Sequence, residues 1–117
     1  MDNEHTRSFP SGAIRNSDKH KPDYEGYLSP IVLIRYGEYM RLHQIRPDGD
    51  IRDSDDWQKG IPQDVYIKSM FRHFISVWAS HRGLDTDEDI QESLCGLLFN
   101  VMGYLFEVLK RDDNNGF

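Results

Sequence analysis

The residues best suited to chemistry lie in segment 52–82, where a polar loop leads into an amphipathic helix. The loop carries Trp57 and Lys59, and the helix carries Arg72 and His73 on its polar side. An indole ring offers a flat stacking surface, and the two cations offer positive charge for phosphate groups. This combination suits a flat, anionic ligand such as a nucleotide.

Each of these side chains also has an ordinary structural explanation. Trp57 could plug the loop onto the core, and Lys59 could be a solvated surface charge. Arg72 could pair with a carboxylate of the next helix, and His73 could serve only in a structural hydrogen bond. In a reaction centre, by contrast, Lys59 and Arg72 would neutralise developing phosphate charge, and His73 would orient a water or accept its proton.

A second candidate group lies on one side of the last predicted helix. At ~100° per residue, Asp89, Glu92 and Asn100 share that side with Gly96 and Gly103. Each glycine costs about 1 kcal/mol relative to alanine, so a closely packed backbone or a bound ligand is expected to occupy the space. Carboxylate and amide oxygens are ligands that Mg²⁺ or Mn²⁺ prefers. Asp89 and Glu92 are therefore predicted metal ligands, although Asp89 could simply cap the helix.

Helices must position these groups, and the first two have clear boundary signals. The first begins at Ser29-Pro30, where serine is a good N-cap and proline suits the first helical position. It should end before Pro47. The second starts after Pro62 and stops at Gly83, and its apolar residues share one broad face: Ile67, Met70, Phe71, Phe74, Ile75 and Trp78.

The third predicted helix starts at Thr86, which could form a capping box with Asp89, and runs to about Lys110. It is apolar on most sides, so we expect it to be central and largely buried. Three helices cannot cover so apolar a helix alone. The sequence therefore predicts an all-α bundle of three main helices, completed by association into a homodimer or a larger homo-oligomer.

Length and charge bound the possibilities further. A chain of 117 residues corresponds to one domain. We divide it into an extended polar arm (1–28), a helical domain (29–110) and a flexible tail (111–117). The net charge is −6 and the pI is about 5.2, which argues against a general nucleic-acid binder but not against a small nucleotide.

Cysteine use and hydropathy indicate the compartment. The single cysteine, Cys95, lies in an apolar run and is expected to be a small buried hydrophobe. One cysteine cannot form an internal disulfide, which fits a reducing cytoplasm. The polar N-terminus lacks the apolar centre of a signal peptide, and the uninterrupted apolar runs are shorter than ~18 residues, so no membrane association is expected.

Several short motifs occur in a distinctive order over residues 11–110. They are Ser11–Arg15, Lys21–Pro30, Asp56–Pro62, Ser69–His73 and Phe99-Asn100. In this combination the chain resembles the small phage-type dATP/dGTP diphosphohydrolase family, which is related to the all-α, MazG-like nucleoside triphosphate pyrophosphohydrolases. The family pattern has asparagine at the position of Asp56 and tryptophan at that of Phe99. Glu92 takes the place of a family aspartate, and Ser93 that of a histidine.

The resemblance implies a nucleotide pyrophosphohydrolase that acts on (deoxy)purine nucleoside triphosphates with Mg²⁺ or Mn²⁺, in the cytoplasm of a bacterial cell infected by a bacteriophage. Glu92, helped by Asp89 and Asn100, would hold the metal. The catalytic candidates are His73, Arg72 and Lys59. The residues expected to bind the nucleotide are Trp57, Lys59, Tyr66, Ser69, Arg72 and Asn100.

Two other functions remain open at this point. The second helix offers no carboxylate beyond Asp64, so the paired acidic motifs of MazG-like enzymes are not visible. This favours a phage protein that binds a signal nucleotide, as a sponge or anti-defence factor, without hydrolysing it. A purely structural protein that contacts another chain through the polar side of the second helix is the third reading.

Overall fold

Helices account for 58% of the residues that the structure describes, which confirms a largely helical fold. The computed structural model describes residues 4–113. The first three residues of the predicted arm and residues 114–117 of the predicted tail lie outside this range. The described chain divides into two units between Leu33 and Ile34.

The first unit contains regular structure within the segment predicted to be an extended arm. Strands β1 (Thr6–Ser8) and β2 (Ile14–Asn16) form an antiparallel hairpin. A single helical turn, α1 (Tyr24–Tyr27), follows, and the Asp23 side chain accepts a hydrogen bond from the Gly26 amide at 3.0 Å. The strands are only three residues long and mostly exposed, so they leave no apolar alternation in the sequence.

Helix α2 (Pro30–His43) begins where its local signals predict. The Ser29 hydroxyl accepts a hydrogen bond from the Val32 amide at 3.4 Å, as expected of an N-cap. The helix spans the boundary between the units, and its residues from Ile34 onward belong to the second unit. A tight turn around Gly49, with φ of +91°, follows it.

The second unit continues with a 3₁₀ turn (Asp56–Lys59), α3 (Gln63–His81) and α4 (Ile90–Asp112). The bounds of α3 agree with the prediction from Pro62 and Gly83. Helix α4 begins later than predicted. Its N-cap is Asp89, whose carboxylate accepts a hydrogen bond from the Gln91 amide, whereas the Thr86 hydroxyl donates to the Glu88 carbonyl.

The glycine side of α4 packs directly against α3. The His73 ring occupies the space where Gly96 lacks a side chain, and the Tyr66 ring occupies the corresponding space at Gly103. A methyl group at either glycine would overlap the ring. Aromatic rings from the neighbouring helix therefore explain both glycines, rather than the close backbone or bound ligand that the sequence led us to expect.

Burial on α4 is the reverse of the prediction that this apolar helix is central and largely enclosed. The buried residues of α4 are small or polar: Ser93, Cys95, Gly96, Asn100 and Gly103. The large apolar residues on its other sides are exposed, among them Leu94, Val101 and Leu105. On α3, Tyr66 is buried, whereas Phe71 and Phe74 are more than half exposed. Cys95 is buried as predicted.

Length and composition alone would allow α4 to cross a membrane. Core helices of soluble proteins pass the same test, so this property is weak evidence about location. Of the 18-residue apolar segment concerned, 28% is buried inside the protein.

Candidate functional site

A cavity of about 570 Å³ lies within the second unit, between α2, α3, α4 and the loop that joins α2 to α3. This volume is in the range of small-molecule sites. Most of the residues predicted to bind a nucleotide line it together with the catalytic candidate His73: Trp57, Tyr66, Ser69, Arg72 and Asn100. The polar side of α3 therefore faces a cavity, as the sequence interpretation required.

Three arginines line the cavity. Arg72 comes from α3, Arg41 from α2 and Arg52 from the connecting loop. None of them forms an ion pair with a carboxylate among residues 4–113, although Arg41 donates to the Gln44 side chain at 3.0 Å. The structural alternative for Arg72, a bridge to α4, is thus not observed. Exposed guanidinium groups around one cavity are suited to bind phosphate oxygens in pairs.

His73 takes part in a short chain of hydrogen bonds with Glu88 and Ser93. Its Nδ1 is 3.0 Å from Oε1 of Glu88, and the buried Ser93 hydroxyl donates to the same oxygen at 2.7 Å. Burial raises the pKa of the Glu88 carboxyl, but the hydrogen bonds from Ser93 and His73 outweigh it and leave the pKa below its usual value. Glu88 is therefore ionised at neutral pH and fixes the orientation of the imidazole.

Aromatic rings form the apolar wall of the cavity. Trp57 meets the edge of Phe99, with ring centroids 6.0 Å apart, and also contacts Phe106 at 5.1 Å. The Glu107 carboxylate accepts a hydrogen bond from the Ile61 amide at 3.2 Å and so attaches the loop to α4. Trp57 therefore holds the loop on the core and lines the cavity with the same ring, and both interpretations of this residue are consistent with the geometry.

Two buried polar residues complete the wall. The Asn100 amide nitrogen donates to the Gly96 carbonyl at 2.7 Å, which leaves its amide oxygen for other contacts. Tyr39 is 5% exposed. Burial, with the negative charges of Glu88 and Glu92 nearby, raises the pKa of Tyr39 to about 12. Its phenol is therefore neutral at physiological pH and adds no negative charge to a site for anions.

Three predicted site residues do not line this cavity. Lys59 forms an ion pair with Asp56 at 3.0 Å, and the hydrogen bond between them raises the lysine pKa and lowers the aspartate pKa. Glu92 is 2.9 Å from Arg35 of α2. Asp89 caps α4. The solvated or capping alternatives therefore describe the contacts of Lys59 and Asp89.

The predicted metal ligands are not assembled into a metal centre. Among residues 4–113, no group of three or more His, Cys, Asp or Glu side chains is placed to hold an ion. The carboxylate of Glu92 binds a guanidinium, and that of Asp89 binds a backbone amide. These side chains do not fit a magnesium site as they are arranged.

Sequence reasoning missed Arg41, Arg52, Tyr39 and Glu88. The first three lie outside the α3–α4 pair, and their approach to it depends on how α2 and the loop pack. Glu88 carried a usable signal, because an acidic residue directly before a helix cap can reach back to the preceding helix.

Comparison with family models, with curated proteins and with solved structures gives no match to this chain. The resemblance to diphosphohydrolases therefore depends only on the motifs in the sequence.

Proposed function

We propose that this chain binds a (deoxy)purine nucleoside triphosphate or a closely related nucleotide in the cavity between α2, α3 and α4. The observation that supports this most directly is the combination of Arg41, Arg52 and Arg72, without carboxylate partners among the described residues, around an aromatic-walled cavity of about 570 Å³. The arginines would bind the phosphates, and Trp57 would contact the base.

Charge favours an anion at this position even though the whole chain is acidic. Three carboxylates line the cavity: Asp56 is paired with Lys59, Glu88 accepts hydrogen bonds from His73 and Ser93, and Asp53 has no ion-pair partner among the described residues. The negative charge of Asp56 and Glu88 is therefore partly compensated, and three arginines that line the same cavity oppose the charge of Asp53. A triphosphate can be held by such a group of cations without a basic protein surface.

The direct test is titration of the protein with dATP and dGTP by calorimetry, with and without Mg²⁺. Arg72→Gln and Arg52→Gln should each weaken binding by about 10- to 100-fold, because each removes a charged hydrogen-bond donor. Arg111→Gln is the matched control, since Arg111 lies at the end of α4, bonds Asp112 and lies outside the cavity lining. Equal affinities in all four proteins would contradict the proposal.

A second candidate is hydrolysis of the bound triphosphate to monophosphate and pyrophosphate. One observation favours it: the imidazole of His73 lies on the cavity wall with a carboxylate on its Nδ1, the arrangement of a general base. His73 would take the proton from a water that attacks the α-phosphorus. The bond to the bridging oxygen would break, and pyrophosphate would leave with the arginines neutralising its charge.

Chromatography after incubation with dATP or dGTP and Mg²⁺ separates the two candidates. Release of pyrophosphate that is lost in His73→Gln supports hydrolysis, whereas recovery of intact bound nucleotide supports a binding protein. Glu92→Gln tests the metal role expected from the sequence, because full turnover in that variant would remove the glutamate from that role. We also propose that the helical bundle is completed by association between copies of the chain.

A further inference from the structure

The side of the α3–α4 pair that faces away from the nucleotide cavity is apolar and open to solvent. A groove of about 280 Å³ lies there, lined only by apolar side chains. At ~100° per residue, its α3 residues lie across the helix from Ser69 and Arg72, which line the cavity. We call this surface the apolar face; it comprises the groove residues and, one turn further along each helix, Trp78 and Val101. The groove residues are Ile67, Met70, Phe71, Phe74 and Leu97.

The apolar face is as large as the largest apolar patches on monomeric proteins. Phe71 is 64% exposed, and Phe74, Trp78 and Val101 are 51%, 49% and 46% exposed. Side chains of this size leave on the order of 600 Å² open, at the upper limit of the largest patches on monomeric proteins. This area approaches the ~800 Å² that each partner buries in a standard interface.

We propose that a second copy of this chain covers the apolar face, with the two α3 helices packed antiparallel about a two-fold axis. A two-fold interface requires one surface that is complementary to itself. Position 73 lies halfway between Asp64 and Arg82, the charged residues at the two ends of the face. Phe71 and Phe74 flank this position, so a two-fold axis near it would bring both rings of each copy to the centre of the interface. The resulting arrangement is a four-helix bundle made from two α3–α4 pairs.

Opposite charges at the two ends of the face determine the direction of pairing. Asp64 lies in the first turn of α3 and has no ion-pair partner among the described residues. Arg82 is the C-cap of α3, and its guanidinium lies over the Trp78 ring at 5.7 Å from the centroid. The two positions are five helical turns apart and so point to the same side. Antiparallel pairing places Asp64 beside the partner's Arg82, twice per dimer, whereas parallel pairing would bring like charges together.

The same features favour a protein partner over a lipid surface. A helix pair that lies on a membrane typically has cations along the edge of its apolar side. Here the edge of α3 carries Asp64, Lys68 and Arg82, and the acidic Asp64 and basic Arg82 lie at matched distances from the centre, which complements a second copy better than an anionic bilayer. Because the apolar face and the cavity lie on opposite sides of α3, association and nucleotide binding can be measured separately.

Sedimentation velocity of the full chain over a wide range of concentration tests the proposal. The wild type should be a dimer, and Phe71→Lys should weaken association by about tenfold or more, as expected for a central aromatic residue. Leu42→Lys is the matched control: Leu42 is also 64% exposed but lies on α2, away from the face. The control should dimerise like the wild type.

Charge reversal tests the antiparallel arrangement. Asp64→Arg alone and Arg82→Asp alone should each weaken the dimer, and the double variant should restore it. Circular dichroism of each variant establishes that the helices are retained. A wild type that stays monomeric, a dimer unaffected by Phe71→Lys, a double variant no better than the single ones, or a monomer that binds lipid vesicles through this face would each overturn the proposal.

Discussion

At the scale of single residues, Glu88 connects the folding of the chain to its candidate site. Its carboxylate accepts hydrogen bonds from the buried Ser93 hydroxyl and from His73. Through Glu88, the Ser93 hydroxyl supports the imidazole contributed by α3. The candidate base is therefore oriented by residues from the start of α4.

The pH dependence of stability follows from the same carboxylate. The pKa of Glu88 is lower in the folded protein than in the unfolded chain, so the unfolded chain binds the proton first as the pH falls. The stability that this carboxylate contributes is fully present at neutral pH and is lost progressively below about pH 4.5. In Glu88→Gln, the loss of unfolding free energy relative to wild type should be largest at pH 7 and should shrink toward pH 3.

Urea denaturation at the two pH values provides the measurement. Glu38→Gln is the control, because Glu38 is exposed on α2 and has no ion-pair partner among the described residues. It should change stability little at neutral pH. A Glu88→Gln variant with the same deficit at both pH values would show that ionisation of Glu88 does not stabilise the fold.

At the scale of helices, the seam between α3 and α4 depends on the two glycines. Gly96→Ala would place a methyl group that overlaps the His73 ring, and Gly103→Ala one that overlaps the Tyr66 ring. We expect each variant to lose about 1–3 kcal/mol of unfolding free energy, despite the better helix propensity of alanine. Gly37→Ala on α2 is the matched control. An added methyl there meets no heavy atom within 4 Å, so stability should rise by about 0.5–1 kcal/mol.

Thermal and urea unfolding of the three variants measures these differences. If Gly96→Ala and Gly103→Ala gain stability like the control, the rings are not packed against α4 as described. Loss of stability without loss of helix content would place the effect at the seam, because alanine itself favours the helix.

The helices illustrate what local sequence signals can and cannot determine. Pro62 and Gly83 predicted the ends of α3 because helix termination depends on nearby residues. The start of α4 was misplaced because Thr86 and Asp89 are both good caps, and only the tertiary position of Glu88 selects between them. Periodicity identified the apolar sides of α3 and α4 but could not indicate which side has a neighbour within the same chain.

The candidate site divides in the same way. The residues of α3 were found because a polar stripe on an amphipathic helix is visible in the sequence. Arg41 and Arg52 were not, since their approach depends on the packing of α2 and of a loop without a period. Lys59 and Glu92 were predicted as site residues because of their charge, but in the fold each forms an ion pair with another residue of this chain.

At the scale of the whole molecule, a bound nucleotide should stabilise the fold as a unit. Ligand at 100 times its dissociation constant adds about 2.7 kcal/mol, which for a domain of this size raises the Tm by on the order of 10 °C. We expect dATP to give such a shift, and adenosine, which has the base but no phosphate, to give a far smaller one. Differential scanning calorimetry checks both.

Ionic strength provides a second readout of the same complex. If exposed arginines hold the phosphates, added salt should reduce the dATP shift by screening them. Equal shifts with adenosine and dATP, or a shift that salt does not change, would mean that stacking on the aromatic wall dominates and that the guanidinium groups have another use.

The rings of His73 and Tyr66 each pack against a glycine of α4, and both residues also line the cavity. A ligand that reorients either ring must also separate α3 from α4. The cavity can therefore change its shape on this side only by destabilising the fold. Evolution of specificity for a new ligand would then act first on the cavity residues of α2 and the connecting loop, where side chains can change without disturbing the contact between α3 and α4.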